Sequence, residues 1–439
     1  MIGKAQDDVL QPETNRIRES DLPVHGWYRF VLSFPPHLVR DYVNDFGLGK
    51  RDLVLDPFCG TGTTLVESKK LGIKSVGLES NSLAHFVAAT KVDWSPDPAA
   101  LVDKAEGIAQ AVARSLAAEG ISDDPSPLFG RPVLGGGRGA LLGLSEEAEQ
   151  LLLKNSISPL PLHKSLRLVS MIDQKADLTV KPHLRLALAK ALIEDIGNLH
   201  FGPEVGVGRI KEDAPVLGPW LANVRRMATD LRAISDGGAS SKVVFHDSRD
   251  PHLVLPKARI SAVITSPPYP NEKDYTRTTR LESVLLGFLA CKSDLRSLKN
   301  GLLRSNTRNV FVKDDDDTLP LPPEVEEIAS AVERRRIELG KTSGFERLYH
   351  RVVRLYFGGM AKHLAGLRTC LRPGALLAYV VGDQASFLQV MIPTGQVLAR
   401  VAETLGYRLI RIDLFRTRAA TATRQRLREE VVVLEWPGN

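Results

Sequence analysis

Short apolar runs, the first four stopping at an acid or a serine and all separated by glycine turns or helical stretches, set the rhythm of this chain. Asp52-Leu53-Val54-Leu55 runs into Asp56; a glycine turn follows, and Leu65 to Leu71 has helical spacing with Thr63 or Thr64 as the expected N-cap. Ser75-Val76-Gly77-Leu78 then stops at Glu79. Strand, glycine turn, helix, strand, acid is the opening of a doubly wound nucleotide-binding sheet. The strand rhythm returns far downstream. It reads Lys242 to His246 ending at Asp247, Ile260 to Ile264 ending at Ser266, Ala375 to Val381, and the pair Tyr407–Phe415 and Glu429–Trp436.

Between these runs the period changes. From about 96 to 238 the pattern is mainly helical. Val102, Ala105, Ile108, Ala109, Val112 and Leu116 share one face, as do Trp220, Leu221, Val224, Met227, Ala228 and Leu231. Loops are expected at Asp123 to Pro127 and at Gly135 to Gly137. A connection this long between sheet strands predicts an inserted domain. The division expected is therefore 1–95 as the first part of a core, 96–238 as a helical insertion, and 239–439 as the second part. A helix is expected around Arg351 to Leu371. The stretch from about 290 to 345 reads as a long loop excursion, and its acidic run Asp314 to Asp317 beside Pro320, Pro322 and Pro323 as an exposed, mobile loop.

Composition narrows the class. Of 439 residues, 43% are hydrophobic and 25% charged, a globular mix. Lysine plus arginine number 58 against 52 acids, a modest excess that favours a polyanionic partner without establishing one. Cys59, Cys291 and Cys370 form no disulfide or zinc pattern, and no metal is expected. The polar start MIGKAQDDVLQPETNR and the absence of a bilayer-length apolar run lead to the expectation of a soluble cytoplasmic chain with no membrane association.

Two motifs carry chemistry. In Asp56-Pro57-Phe58-Cys59-Gly60-Thr61-Gly62-Thr63-Thr64, Gly60 and Gly62 permit a tight turn and close approach of a ligand to the backbone. The helix that follows turns its N-terminus to the site and favours an anionic group. Asp56 is placed to accept from a ligand ammonium, and Glu79 to accept both ribose hydroxyls. A dinucleotide fingerprint would want a third glycine where Leu65 stands. The second motif is Thr265-Ser266-Pro267-Pro268-Tyr269. Consecutive prolines stiffen the backbone and hold neighbouring carbonyls in aim. The amino group of a base is a poor nucleophile because its lone pair is delocalised into the ring. Hydrogen bonds from its protons to the Ser266 hydroxyl and the Pro267 carbonyl would make it more nucleophilic, while Tyr269 offers a face on which an extruded base stacks.

Together these motifs resemble the amino-group DNA methyltransferases, specifically the cytosine-N4 branch, which has serine where Ser266 stands; adenine-N6 enzymes more often have aspartate. The resemblance covers roughly 22–94 and 240–290, more loosely 345–436, and not the insertion. It extends to the lead-in His25 to Val39, whose Ser33-Phe34-Pro35-Pro36-His37-Leu38-Val39 is a cofactor-contacting segment in the family, to Asp247-Ser248 near an adenine, and to the stretch Asp274 to Glu282. It implies a Rossmann-like, mainly parallel seven-stranded α/β sheet, S-adenosylmethionine as methyl donor, and double-stranded DNA as partner. The implied catalytic residues are Ser266, Pro267, Pro268 and Tyr269. Implied cofactor contacts are Phe34, Asp56, Pro57 and Phe58; Gly60, Gly62, Thr63 and Thr64; and Glu79, Asn81, Asp247 and Ser248. The cofactor motif precedes the catalytic one, as in a subgroup whose target recognition lies between them, which makes the insertion the candidate recognition region. Family habit adds a restriction-modification role with a cognate endonuclease.

Carbon-5 methylation would need a cysteine after a proline, and none of the three cysteines follows one. Arg416, Arg418, Arg424, Arg426 and Arg428 form an acid-free run whose hairpin would emerge at the carboxyl edge of the sheet, where arginines can grip phosphates flanking a flipped base. Arg277 and Arg280 are further candidates for nucleic-acid contact. The competing readings are an adenine-N6 enzyme, an enzyme acting on an exocyclic amine in RNA, and a non-catalytic DNA-binding subunit that keeps the fold.

Overall fold

Each apolar run becomes a strand. The computed structural model describes residues 17–29, 33–123, 140–202, 204–234, 238–419 and 426–438. In chain order the strands are β1 (Leu53–Asp56), β2 (Lys74–Glu79), β3 (Leu199–Phe201), β4 (Val205–Val207), β5 (Ser241–Phe245), β6 (Ile260–Thr265), β7 (Leu371–Gly382), β8 (Arg408–Ala419) and β9 (Arg426–Trp436). Seven of them form one α/β sheet in the order β5-β2-β1-β6-β7-β9-β8, and β3 and β4 form a separate antiparallel ribbon. The pairs β5–β2, β2–β1, β1–β6 and β6–β7 are parallel; β9 runs antiparallel to both β7 and β8. This is the mainly parallel seven-stranded sheet that the resemblance implies, and strand order reverses between β1 and β6.

Alternation along the strands distributes the core. Leu55, Val263, Leu377 and Val432 point to one face, against the helix Tyr349–Leu367. Their neighbours Val54, Ile264, Ala378 and Val431 point to the other and meet Leu38, Val39 and Tyr42 of the helix Pro36–Asp45. All of β6 is buried, as expected where helices cover both faces of a parallel strand. The helices Pro98–Ala118 and Leu217–Ala233 bury Ala105, Ile108, Val112 and Leu116, and Trp220, Val224, Met227 and Leu231, on the faces the sequence predicts. Their apolar cluster is continuous with Leu65, Val66, Leu83 and Val87 of the helices beside the glycine turn.

Four expectations are corrected. The helix after the glycine turn runs Thr63–Lys70 and is preceded by Gly62 in the left-handed region (φ 85°), so neither threonine is its N-cap. Thr64 instead donates its hydroxyl to the Ile264 carbonyl at 3.1 Å, tying helix to β6. The helical reading of 96–238 missed the β3–β4 ribbon. The excursion 290–345 contains helices Lys292–Asn300 and Pro323–Glu338. The first starts where Asp294 accepts from the amides of Ala290 and Cys291 at 2.8 and 3.2 Å, and the second uses Pro323 at its first position, a site proline suits. The acidic run is held rather than free. Asp316 is 3% exposed and accepts from Arg249 (2.6 Å) and Lys362 (3.3 Å), while Asp314 pairs with Arg304 at 2.9 Å. Among the described residues no helix is long and apolar enough to cross a membrane.

Candidate active site

The carboxyl ends of β1, β2, β5 and β6 meet at one cavity of about 590 Å³, walled also by the loop after β6 and by β8 and β9. On its β1–β2–β5 side stand Phe58, Gly60, Thr63, Glu79, Asn81, Asp247 and Ser248, with Phe34 from the N-terminal segment. On its β6 side stand Ser266, Pro267, Pro268 and Tyr269. Residues about 200 positions apart thus share one space.

Hydrogen bonds fix the first side. Glu79 accepts from the Gly60 amide at 2.9 Å and the Asn81 amide at 2.7 Å. Burial nevertheless pushes its carboxyl up to about 7, against the pull of those amides. Asn81 caps the helix Ser82–Val92, accepting from the amides of Leu83 and Ala84. Asp247 accepts from Arg249 at 2.6 Å, and the Ser248 hydroxyl donates to the Pro57 carbonyl. His363, buried between the Ser248 carbonyl and the Tyr379 hydroxyl (2.7 Å each), is pushed down to about 4 by burial. It stays neutral and acts as a core spacer.

On the second side, Ser266 donates its hydroxyl proton to the Val380 carbonyl at 3.1 Å, so that its oxygen can act only as an acceptor, and the Tyr269 hydroxyl lies within hydrogen-bond reach of it. The Tyr269 ring lies over Gly382, where an added Cβ would sit 3.1 Å from ring atom Cε2. Burial, and then the Glu429 carboxylate, hold the Tyr269 hydroxyl well above the usual phenol range. Across the mouth, Arg416 donates to Glu429 at 2.5 Å, and Arg418 donates to the Asp383 carbonyl at 3.1 Å and pairs with Glu429 at 3.4 Å.

Several expected contacts do not reach the cavity. Asp56 is fully buried. It accepts from Thr265 Oγ1 (2.6 Å) and the Phe58 amide (3.2 Å), so its carboxylate locks the ends of β1 and β6 together behind the wall instead of facing a ligand. Burial pushes it up to about 6. Pro57, Gly62 and Thr64 also lie behind the wall; Gly62 packs so closely on Ala88 that a Cβ would stand 3.2 Å from that side chain. Arg280 is spent internally on Thr276 (3.0 and 2.8 Å) and on the Leu151 carbonyl (3.2 Å), bracing the loop after Tyr269 against the insertion. Arg277 pairs with Glu204 at 3.5 Å and does not line the cavity. Arg424 falls outside the described residues.

Other wall residues were not anticipated. Asn271 and Lys273 follow Tyr269 in the same loop, and extending the second motif by a few residues would have found them. Tyr28, which donates to Glu282 at 2.6 Å, lies in the lead-in His25 to Val39 without having been singled out, and Glu204, in the ribbon's turn, arrives from a distant segment that gives no local signal.

Residues 7–89 match the family model described as DNA methylase. The chain is 27% identical to the type II methyltransferase M.BsoBI of Geobacillus stearothermophilus over 94% of its own length and 86% of that protein. Over most of its length the chain is thus similar to the amino-group DNA methylases. Shorter stretches resemble the type II methyltransferase M.AvaI of Nostoc sp. (26% identity over 37% of this chain and 34% of that one) and the tRNA (guanine(10)-N2)-dimethyltransferase of Methanothermobacter thermautotrophicus (45% over 11% and 14%). The chain uses S-adenosylmethionine as methyl donor. The site's groups fit that molecule: a buried carboxyl ringed by backbone amides, aromatic Phe34 and Phe58, and a polar turn at Gly60 and Thr61 stand along one wall.

Proposed function

We propose that this methylase modifies N4 of a cytosine flipped out of double-stranded DNA, as the modification partner of a restriction endonuclease. The observation that carries the reading is Ser266 on the cavity wall, its proton committed to Val380 so that its oxygen is left as an acceptor beside Tyr269. A serine in this state accepts one amine proton, and the Pro267 carbonyl accepts the other. Tyr269 stacks on the base, and Arg416 and Arg418 hold a flanking phosphate. The bound donor supplies an electrophilic sulfonium methyl group. Glu79 accepts the two ribose hydroxyls, and Phe34, Phe58, Asn81, Asp247 and Ser248 complete the donor's seat. The insertion, 96–238, supplies sequence recognition. Unmethylated DNA treated with the chain and digested to nucleosides for mass spectrometry should yield N4-methylcytosine; N6-methyladenine in its place would overturn the base assignment.

The Glu79 role gives donor binding a pH signature. Only the ionised carboxylate accepts two hydroxyls, and its carboxyl sits at about 7. Binding therefore releases a proton below that pH, and affinity for S-adenosylmethionine should fall as pH drops from 8 to 6, steepening to at most about tenfold per unit. Calorimetric titration across that range checks it, and Glu79→Gln should bind more weakly with a flat profile. A pH-independent affinity in the wild type would remove Glu79 from the donor's seat.

A further inference from the structure

The β3–β4 ribbon stands at the cavity mouth with no part in the chemistry above. Its register pairs Leu199 with Val207, His200 with Gly206 and Phe201 with Val205. Alternation sends Leu199, Phe201, Val205 and Val207 to one face, where Val205 is buried, Leu199 and Phe201 are half-buried and Val207 at the end is exposed. The opposite face carries the His200–Gly206 pair. His200 is exposed, and a side chain at Gly206 would meet nothing within 4 Å.

The ribbon's foot, by contrast, is firmly set. Buried Asn198 donates to the Asn155 carbonyl (3.0 Å) and to Ser158 (3.1 Å) and accepts from the Lys211 amide (2.8 Å). Glu204, in the turn, lines the cavity and pairs with Arg277. A lone two-stranded ribbon is marginal in water, so one held rigidly at its foot and bare on one face is built to meet something. A glycine inside a strand leaves the backbone open to close approach by another molecule. The major groove of DNA admits a two-stranded ribbon.

We infer that the ribbon enters the DNA groove beside the target nucleotide, with the bare His200–Gly206 face against base edges and Glu204 at the lip of the cavity. It is thereby the specificity-determining element of the insertion. This rests on the reading of the cavity as the site of DNA methylation.

Gly206→Val separates groove contact from folding. The new side chain finds open space, Gly206 lies outside the positive-φ region, and a β-branched residue suits a strand, so the ribbon should persist. On a plasmid pool carrying randomised windows, the catalytic efficiency of Gly206→Val should fall about tenfold to a hundredfold. Calorimetric affinity for S-adenosylmethionine and the melting temperature should hold. His200→Ala should broaden the set of sequences methylated in the same pool. Wild-type efficiency in Gly206→Val, with an unchanged sequence set in His200→Ala, would overturn the inference alone. A wild-type chain inert on the pool would overturn it together with the functional reading.

Discussion

Ser266→Ala and Tyr269→Ala should each lower single-turnover methyl transfer to DNA by about 100-fold to 1000-fold while leaving S-adenosylmethionine affinity within error of the wild type. The magnitude follows from what each side chain does at the acceptor. The Ser266 oxygen can only accept, because its proton already goes to Val380. Alanine there removes an acceptor that strengthens as the amine gains charge, an effect of the size of one positioned acid–base group, about 10²–10⁴. Tyr269 supplies a stacking face, worth about 1–3 kcal/mol per base, and its loss also frees the base to rotate away from Ser266. Gly382 makes that face possible by leaving room beneath the ring. The hydroxyl is protonated and plays no acid–base part, so Tyr269→Phe should transfer methyl groups within about threefold of the wild type, since the stacking face survives. Tritiated-methyl transfer in a single turnover, with donor affinity measured separately, decides between the outcomes. Undiminished transfer by both alanine variants would remove this loop from the chemistry, and equal loss in Tyr269→Phe would give the hydroxyl a role the present reading denies it.

The placement of the candidate site was legible in sequence where it is local, and illegible where it is carried by long-range side-chain bonds. A strand ending at an acid, followed by a glycine turn, is specified within a few residues. The seats of Gly60, Glu79 and Ser266 could therefore be read before any coordinates, and adjacent placement of β1 and β6 brings the two motifs to one cavity. Asp56 shows the limit of that approach. Its type and position suit a ligand contact, but Thr265, 209 residues away in sequence, claims its Oδ1 from the neighbouring strand. Arg280 likewise follows the second motif closely enough to suggest DNA, and is consumed by a carbonyl 129 residues earlier. Asp314 to Asp317 shows the converse. A run of like charge reads as solvated, unless Arg249, Arg304 and Lys362 converge on it from elsewhere, as they do here. The ribbon was missed for a further reason. With three-residue strands and glycines among them, it is too short to register a period against the helices on either side.

Long-range bonding of this kind also governs stability at the donor side, and Glu67→Ala should cost about 3–5 kcal/mol, the loss seen when one member of a buried ion pair is removed. Glu67 sits on the helix that starts beside Gly62 and is 1% exposed. His25 meets its Oε1 at 2.7 Å and Lys70 at 3.1 Å, while Arg40 donates to Oε2 at 2.5 Å and also pairs with Asp21 at 2.9 Å. One carboxylate therefore clamps the N-terminal segment onto the helix behind the glycine turn. These partners, His25 and Lys70 foremost, overcome the burial penalty and hold Glu67 down at about 2. Because this folded value lies below the ordinary 4.5, the contribution is complete above about pH 4.5 and drains away as pH falls towards 2. His25, pushed down to about 4 mainly by burial, adds a loss that begins earlier, from 6.5 downwards, as the unfolded chain takes up its proton first. Thermal unfolding near neutral pH should register most of the Glu67 loss, and acid titration should show the variant lacking the wild type's final step below pH 4.5. Arg40→Ala alone should also destabilise, by leaving Glu67 short of a counter-charge. The Glu67→Ala/Arg40→Ala double variant should lose less than the sum of the two, because the second truncation removes a charge the first has already orphaned. Strict additivity, or a melting temperature unmoved by Glu67→Ala, would mean the clamp carries no weight and the N-terminal segment is held by its apolar contacts alone.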